Sequence, residues 1–291
     1  MAIAGVLILV VGGAVVRNQV KVRNGRVARA EVKQRQHPVR PEGADVVSRR
    51  KALFDLLRPV ALRNCELQRF GEANDGGYLM CRNLLQDVEV AYSYGIGGYD
   101  KWGCDISKAL DVTVHQYDCF NPKQPACYFG DTVFHTECVA GTAATMDGRV
   151  FDTVQNQMVR NGDGARRLVW KIDVEGAEWK SLLTIPTDIL ERTDQMAVEF
   201  HWAEDADHRW QDDPDYLAVI RRLTQFFEVA HIHFNNASCV ADLSPFPSSA
   251  YEVLFVSKRV AVVDPDRGAG GIHPLDAPNN SSLPECQVVG R

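Results

Sequence analysis

Between residues 88 and 257, apolar segments of strand length alternate with helical stretches, and most of them stop at glycine or at polar side chains. Val88-Glu-Val-Ala-Tyr-Ser-Tyr runs into Gly95-Ile-Gly-Gly. Val112-Thr-Val-His-Gln-Tyr stops at Asp118, and Leu168-Val-Trp-Lys-Ile stops at Asp173. Gln195-Met-Ala-Val-Glu-Phe stops at His201, and the segment from Glu228 stops at Asn235-Asn236. Helices are expected over 102–110, 175–183 and 214–227, and an amphipathic one starts at Asp45 and stops near Pro59. Strands alternating with helices specify an α/β fold built on a mostly parallel sheet. The last two strands, 228–234 and 251–257, have no clear helix between them, so an antiparallel strand is expected at or near the sheet edge. Ligands of open sheets bind at the carboxyl ends of the strands, so function is sought there.

The regions outside this pattern divide the chain. Residues 2–16 carry no charge and form a fifteen-residue apolar run. As a helix this run would reach about 22 Å at about 1.5 Å per residue, against a hydrocarbon core of about 30 Å. Residues 1–16 therefore read as a short membrane anchor or a cleaved signal. Residues 17–44 read as a basic linker, because residues 17–50 hold ten Lys/Arg against three Asp/Glu. The remaining residues hold 22 Lys/Arg against 35 Asp/Glu, so an acidic body follows a basic arm. That asymmetry suits attachment at a membrane surface and disfavours nucleic acid as a partner. Residues 45–262 are the expected catalytic domain. Residues 263–291, rich in Gly, Pro, Asn and Ser, are expected to be an irregular tail.

Orientation has two readings. The positive-inside rule places the body in the cytoplasm. Eight cysteines and the sequons Asn236-Ala-Ser, Asn279-Asn-Ser and Asn280-Ser-Ser would suit an oxidising lumen. The cysteine spacing does not suggest a zinc site.

The strand ends supply a candidate site. Gly95, Ile96, Gly97 and Gly98 form a turn that lets a ligand approach the backbone. Asp118 lies 23 residues beyond Gly95, close to the interval at which an acid meets a ribose in a βαβ unit. The sixth position from Gly95 is Asp100 rather than glycine, which disfavours a dinucleotide. Asp173, Glu175 and Glu178 surround a strand-to-helix turn, with a helix-dipole role as the alternative for the two glutamates. His201 and His233 end neighbouring strands, and a histidine there suits a general base. These side chains are also a donor set for a divalent cation, but spacing alone fixes no geometry and no metal ligand is assigned. Arg69, Asp75 and Tyr78 precede the first strand and are placed at the cleft, with Asp75-Gly-Gly also a turn signal.

The ordered set Arg69…Asp75-Gly-Gly-Tyr78, Ser93-Tyr-Gly-Ile-Gly-Gly98, Tyr117-Asp118, Lys171-Ile-Asp-Val-Glu-Gly-Ala-Glu178, His233-Phe-Asn-Asn236 and Tyr251-Glu-Val resembles the FkbM-related methyltransferase-like family. It is most similar to the animal membrane-associated or secreted branch, over residues 60–258. The resemblance implies a class I S-adenosylmethionine-dependent methyltransferase, Rossmann-like, with a seven-stranded mostly parallel sheet and an antiparallel last strand. It implies that Gly95, Gly97 and Gly98, with Ile96 between them, pass beside the methionine and ribose of S-adenosyl-L-methionine, that Asp118 holds the ribose and that Asp173 lies near the transferred methyl. For the chemistry, Asp173 or His201 is the candidate base, with Glu175 orienting the substrate. The acceptor would be a hydroxyl on a sugar, glycan or small metabolite, met by Arg69, Asp75, Tyr78, His233 and Asn235. The branch implies membrane association through the N-terminal segment, with the body in the secretory lumen or secreted. Two other classes stand beside this reading: a catalytically inactive membrane-tethered binding module, and an NAD-dependent Rossmann oxidoreductase.

Overall fold

A computed structural model describes residues 44–205, 210–211, 213–268 and 272–287. The expectations for segment 1–16 and for nearly all of the basic linker lie outside the described residues. Among those described, no helix is long and apolar enough to cross a membrane.

The chain opens with α1 (Ala44–Leu56) and the strands β1 (Leu67–Gly71), β2 (Gly77–Cys81) and β3 (Val90–Tyr94). There follow α2 (Lys101–Leu110), β4 (Val114–Tyr117), β5 (Thr132–His135), β6 (Glu137–Val139), β7 (Ala144–Met146), β8 (Arg149–Asp152) and α3 (Val154–Asn161). The second half holds β9 (Leu168–Ile172), α4 (Glu178–Thr184), α5 (Thr187–Arg192), β10 (Thr193–His201), α6 (Pro214–Phe226), β11 (Phe227–Phe234) and β12 (Ala250–Ser257). The helices start and stop where their sequences direct. Asp100 and Asp213 cap α2 and α6 through their carboxylates, Pro214 opens α6, and α3 ends on Gly162 in a left-handed conformation.

Seven strands form the central sheet in the order β11-β12-β10-β9-β3-β4-β5. β12 is antiparallel to both β10 and β11, and the other neighbours are parallel. The antiparallel strand thus lies one place in from the edge, which β11 occupies. Side chains alternate between two cores, as a period of two requires. Tyr92, Tyr94, Trp170, Ile172, Val198 and Phe200 enter one, with Leu53 of α1 and Leu223 of α6. Ala91, Val169 and Ala197 enter the other, with Trp102 and Ile106 of α2 and Met80 of β2. Covering both faces explains why the central strands are almost continuously apolar. Each large side chain so buried contributes about 1.5–3 kcal/mol relative to exposure.

From β3 the chain builds outward to β4 and β5, then returns to the other side of β3 with β9. The reversal puts a topological switch point between the carboxyl ends of β3 and β9, the place where such sheets take ligands. Two smaller sheets were not read from the sequence. β1 and β2 form a hairpin over the second core, and β6, β8 and β7 form a three-stranded sheet after β5.

All eight cysteines are paired, as Cys65–Cys81, Cys104–Cys127, Cys119–Cys138 and Cys239–Cys286. The last of these ties the irregular C-terminal segment to the domain. Residues 272–287 lack regular structure, yet they form a strap across the carboxyl end of β11. Beyond the disulfide, Asn236 Nδ2 donates to the carbonyls of Asn280 and Leu283, each at 2.9 Å, and His231 Nε2 lies 2.8 Å from Asp276. Asn74 Nδ2, at the β1–β2 turn, donates to Pro278 O at 2.8 Å. Of the three sequon asparagines, Asn236 is buried and Asn280 is exposed.

Candidate active site at the sheet switch point

Gly95 sits where β3 and β9 leave the sheet. Its φ is +74°, and a Cβ built on it would fall 1.6 Å from the carbonyl oxygen of Asp173. Only glycine combines that conformation with that approach. Gly97 also has a positive φ, but a Cβ there would meet nothing within 4 Å, so this part of the loop backbone is open to a ligand.

Asp118 joins this loop to the one after β4. Its Oδ2 accepts from Gly97 N at 2.7 Å and Ile96 N at 3.3 Å, and its Oδ1 accepts from Phe120 N at 2.8 Å and Asn121 N at 2.9 Å. A carboxylate has about four lone-pair sites, so in this arrangement Asp118 works as a clasp. The exposed Phe120 beside it packs edge-on to Phe151, with the Arg149 guanidinium 4.7 Å over its ring. This aromatic–cation group was not anticipated.

Asp173 Oδ2 accepts from the Tyr78 hydroxyl at 3.1 Å and lies 3.4 Å from Lys171 Nζ. Lys171 also donates to the carbonyl oxygens of Gly95 and Tyr94, so one ammonium ties the glycine loop to Asp173. A lysine inside the apolar Leu-Val-Trp-Lys-Ile strand was the signal for this role. Tyr78 is buried, and its hydroxyl also lies 3.4 Å from Glu199 Oε2. Burial, then the charges of Asp173 and Glu199, hold the Tyr78 phenol well above its ordinary pKa, so it stays a donor.

Glu199, absent from the expected site residues, lies at its centre. Asn235 Nδ2 donates to its Oε1 at 2.9 Å. Burial, reinforced by Asp173 and Glu252, pushes the Glu199 carboxyl well above the usual range.

His201 is surrounded by four carboxylates. Its Nδ1 lies 3.3 Å from Glu178 Oε1, and its Nε2 faces Glu175 at 3.7 Å and Asp173 and Glu199 at 3.9 Å each. Burial opposes the imidazolium, but the bond and charge of Glu178, with Glu199 and Asp173, outweigh it and raise the pKa to about 10. At neutral pH His201 is a cation without a free lone pair, so it does not serve as a base there. Glu178 is fully buried and also accepts from the backbone N–H of His201 at 2.7 Å and of Gly176 at 2.8 Å. It anchors this turn beyond any dipole effect. Glu175 has φ +53° and a side chain 87% exposed, so it sits at the rim with its carboxylate toward His201.

Two expected cleft residues do other work. Arg69 donates to the carbonyls of Glu72 at 2.9 Å and Asn74 at 2.6 Å, bracing the β1–β2 turn. His233 lies between Glu252 at 3.5 Å and Glu285 of the strap at 3.4 Å, and the Asp173 group does not include it. Asp75 accepts from Asn279 Nδ2 at 3.0 Å. Potential cation ligands group as Asp173–Glu199–His201 and as Asp75–Glu199–Glu252, each within 4.8 Å. In the first, the imidazolium and Lys171 already balance the carboxylates.

The raised pKa of His201 has a stability consequence. Its unfolded value is about 6.5, so its stabilisation is complete below that pH and is lost as pH rises toward 10. Thermal melts across this window should therefore show the wild-type melting temperature falling, and His201→Gln should flatten that limb. An unchanged slope in the variant would contradict a charged His201.

No protein-family model matches the chain, and no curated protein and no solved structure matches it either.

Proposed function

We propose that the chain is an S-adenosylmethionine-dependent methyltransferase of class I fold that O-methylates a hydroxyl on a sugar or small metabolite. The observation that carries this reading is the arrangement at the switch point. There a left-handed glycine loop closes against Asp173, an acid ends the next strand, and the seventh strand of the sheet is antiparallel. The NAD-dependent alternative has neither the third glycine nor an account of that last strand. The inactive-module alternative draws on one observation, the full occupation of Asp118 by backbone donors.

The residues fit the cofactor. The open side of the loop at Gly97 would face its methionine and ribose portions. The longest of the four Asp118 bonds, from Ile96, is the one a ribose hydroxyl would displace. When bound, the cofactor supplies an electrophilic sulfonium methyl. Asp173 takes the proton from the acceptor hydroxyl, and proximity to the methyl makes the transfer effectively unimolecular. Lys171 and Tyr78 hold the Asp173 carboxylate in place, and the His201 cation offsets the carboxylates around it. Four disulfides favour an oxidising compartment, so we place the body in the secretory lumen or outside the cell, attached by its N-terminal segment.

Thermal shift separates the enzymatic readings. S-adenosylhomocysteine at a hundred times its dissociation constant should stabilise the fold by about 2.7 kcal/mol, raising the melting temperature by about 5–10 °C, while NADH leaves it unchanged. A shift with NADH alone overturns the assignment.

A further inference from the structure

A cleft of about 300 Å³ opens between the β1–β2 turn and the C-terminal strap. Its walls are Asn74 and Asp75 from the turn, Asn235 from the end of β11, and Asn279, Asn280 and Ser281 from the strap. The volume is at the lower end for small-molecule sites. Among the described residues, the lining contains no cationic and no aromatic side chain.

A chain of hydrogen bonds links the cleft wall to the Asp173 group. Asn235 hydrogen-bonds Glu199, Glu199 lies within reach of the Tyr78 hydroxyl, and Tyr78 bonds Asp173. On the same side, oxygens of Asp75, Glu199 and Glu252 lie within 4.8 Å of one another. Asn279 bridges Asp75 and Glu252 through its amide nitrogen, at 3.0 and 2.8 Å, and its carbonyl oxygen has no hydrogen-bond partner.

The remaining polar atoms have one character. Asn74 gives its amide nitrogen to Pro278, which leaves its carbonyl oxygen as an acceptor. Asn280 uses its carbonyl oxygen for the Ser282 N–H, which leaves its amide as a donor. Asp75 adds carboxylate acceptors, and Ser281 adds a hydroxyl that both donates and accepts. Interleaved donors and acceptors of this kind match hydroxyl groups, which do both. The carboxylates repel an anionic ligand, and the walls hold no Arg or Lys to neutralise one.

We infer that this cleft is the acceptor site, that it takes a neutral, hydroxyl-rich carbohydrate, and that the strap fixed by Cys239–Cys286 determines its specificity. Calling the ligand an acceptor rests on the methyltransferase reading; the cleft's preference for a neutral polyol does not.

The test is binding to the purified 291-residue chain, followed by saturation-transfer NMR. The probes are the methyl glycosides of glucose, galactose, mannose and N-acetylglucosamine, set against glucuronate and glucose 6-phosphate. At least one neutral glycoside should bind at least tenfold more tightly than the anionic sugars. The double variant Asn280→Ala/Ser281→Ala, changed only at the exposed wall, should weaken it at least fivefold without altering the affinity for S-adenosylhomocysteine. Asp75→Asn should narrow the discrimination against glucuronate. Equal or tighter binding of glucuronate or glucose 6-phosphate, or no binding of any neutral glycoside, overturns the inference. Glycoside binding by a chain that does not bind S-adenosylhomocysteine supports the cleft and defeats the methyltransferase reading. Binding of S-adenosylhomocysteine without any glycoside does the reverse.

Discussion

Asp173→Asn should lower methyl transfer by about 100- to 10,000-fold, the range that a positioned general base supplies, with an acceptor on which the wild type turns over. The substitution keeps the shape of the side chain and its acceptor oxygen for Tyr78, and removes the charge and the proton-accepting capacity. Lys171 is buried and Asp173 is one quarter exposed, so the substitution leaves a buried ammonium held by the Gly95 and Tyr94 carbonyls and should lower stability by about 3 kcal/mol. Affinity for S-adenosylhomocysteine should change little, because the glycine loop keeps its contacts. The effect should therefore fall on turnover, the signature of an interaction made in the transition state. Wild-type turnover in a folded Asp173→Asn variant would remove Asp173 from the mechanism. His201 does not take over as base, because at neutral pH it is an imidazolium enclosed by Glu178, Glu199 and Asp173.

Gly95→Ala should abolish cofactor binding and destabilise the domain. The added Cβ would lie 1.6 Å from the Asp173 carbonyl oxygen and 2.6 Å from its carbon. Both are backbone atoms, so relief requires the ends of β3 and β9 to separate. The left-handed conformation adds about 1–2 kcal/mol for a residue with a side chain. The combined loss should exceed about 2 kcal/mol, well into the range reserved for a backbone conflict. Gly97→Ala is the matched comparison, since its φ is +57° and its Cβ meets nothing within 4 Å. It should cost only the conformational share. Chemical denaturation of the two variants checks this, and equal destabilisation would mean that the closure of Gly95 on Asp173 is not a tight contact.

What was legible in the sequence follows from how far apart the interacting residues are. The apolar strands ending at Gly95, Asp118 and Asp173 announce themselves locally, because a strand buried on both faces needs a continuous apolar run. The hairpin of β1 and β2 carries Gln68 and Arg69 among its apolar residues and turns at Asp75-Gly-Gly, so only the turn was visible. Glu199 reads as one acid in a strand until Asn235, Tyr78 and Glu252 are brought around it by three other strands. The charge of His201 depends on Glu178, which the turn after β9 delivers at the start of α4. The strap was read as a tail because its partners, Asn74, Asn236 and Cys239, lie at least forty residues away. Arg69 was placed at the cleft by its neighbourhood in sequence, and the carbonyls of Glu72 and Asn74 hold it in the turn instead.

The central claim is that the glycine loop at the switch point holds S-adenosylmethionine, and calorimetric titration of the chain with S-adenosylhomocysteine tests it most directly, with Asp118→Ala titrated in parallel. Micromolar binding by the wild type, lost when the Asp118 clasp is removed, is the predicted result; absence of binding by a wild-type chain shown to be folded would contradict it.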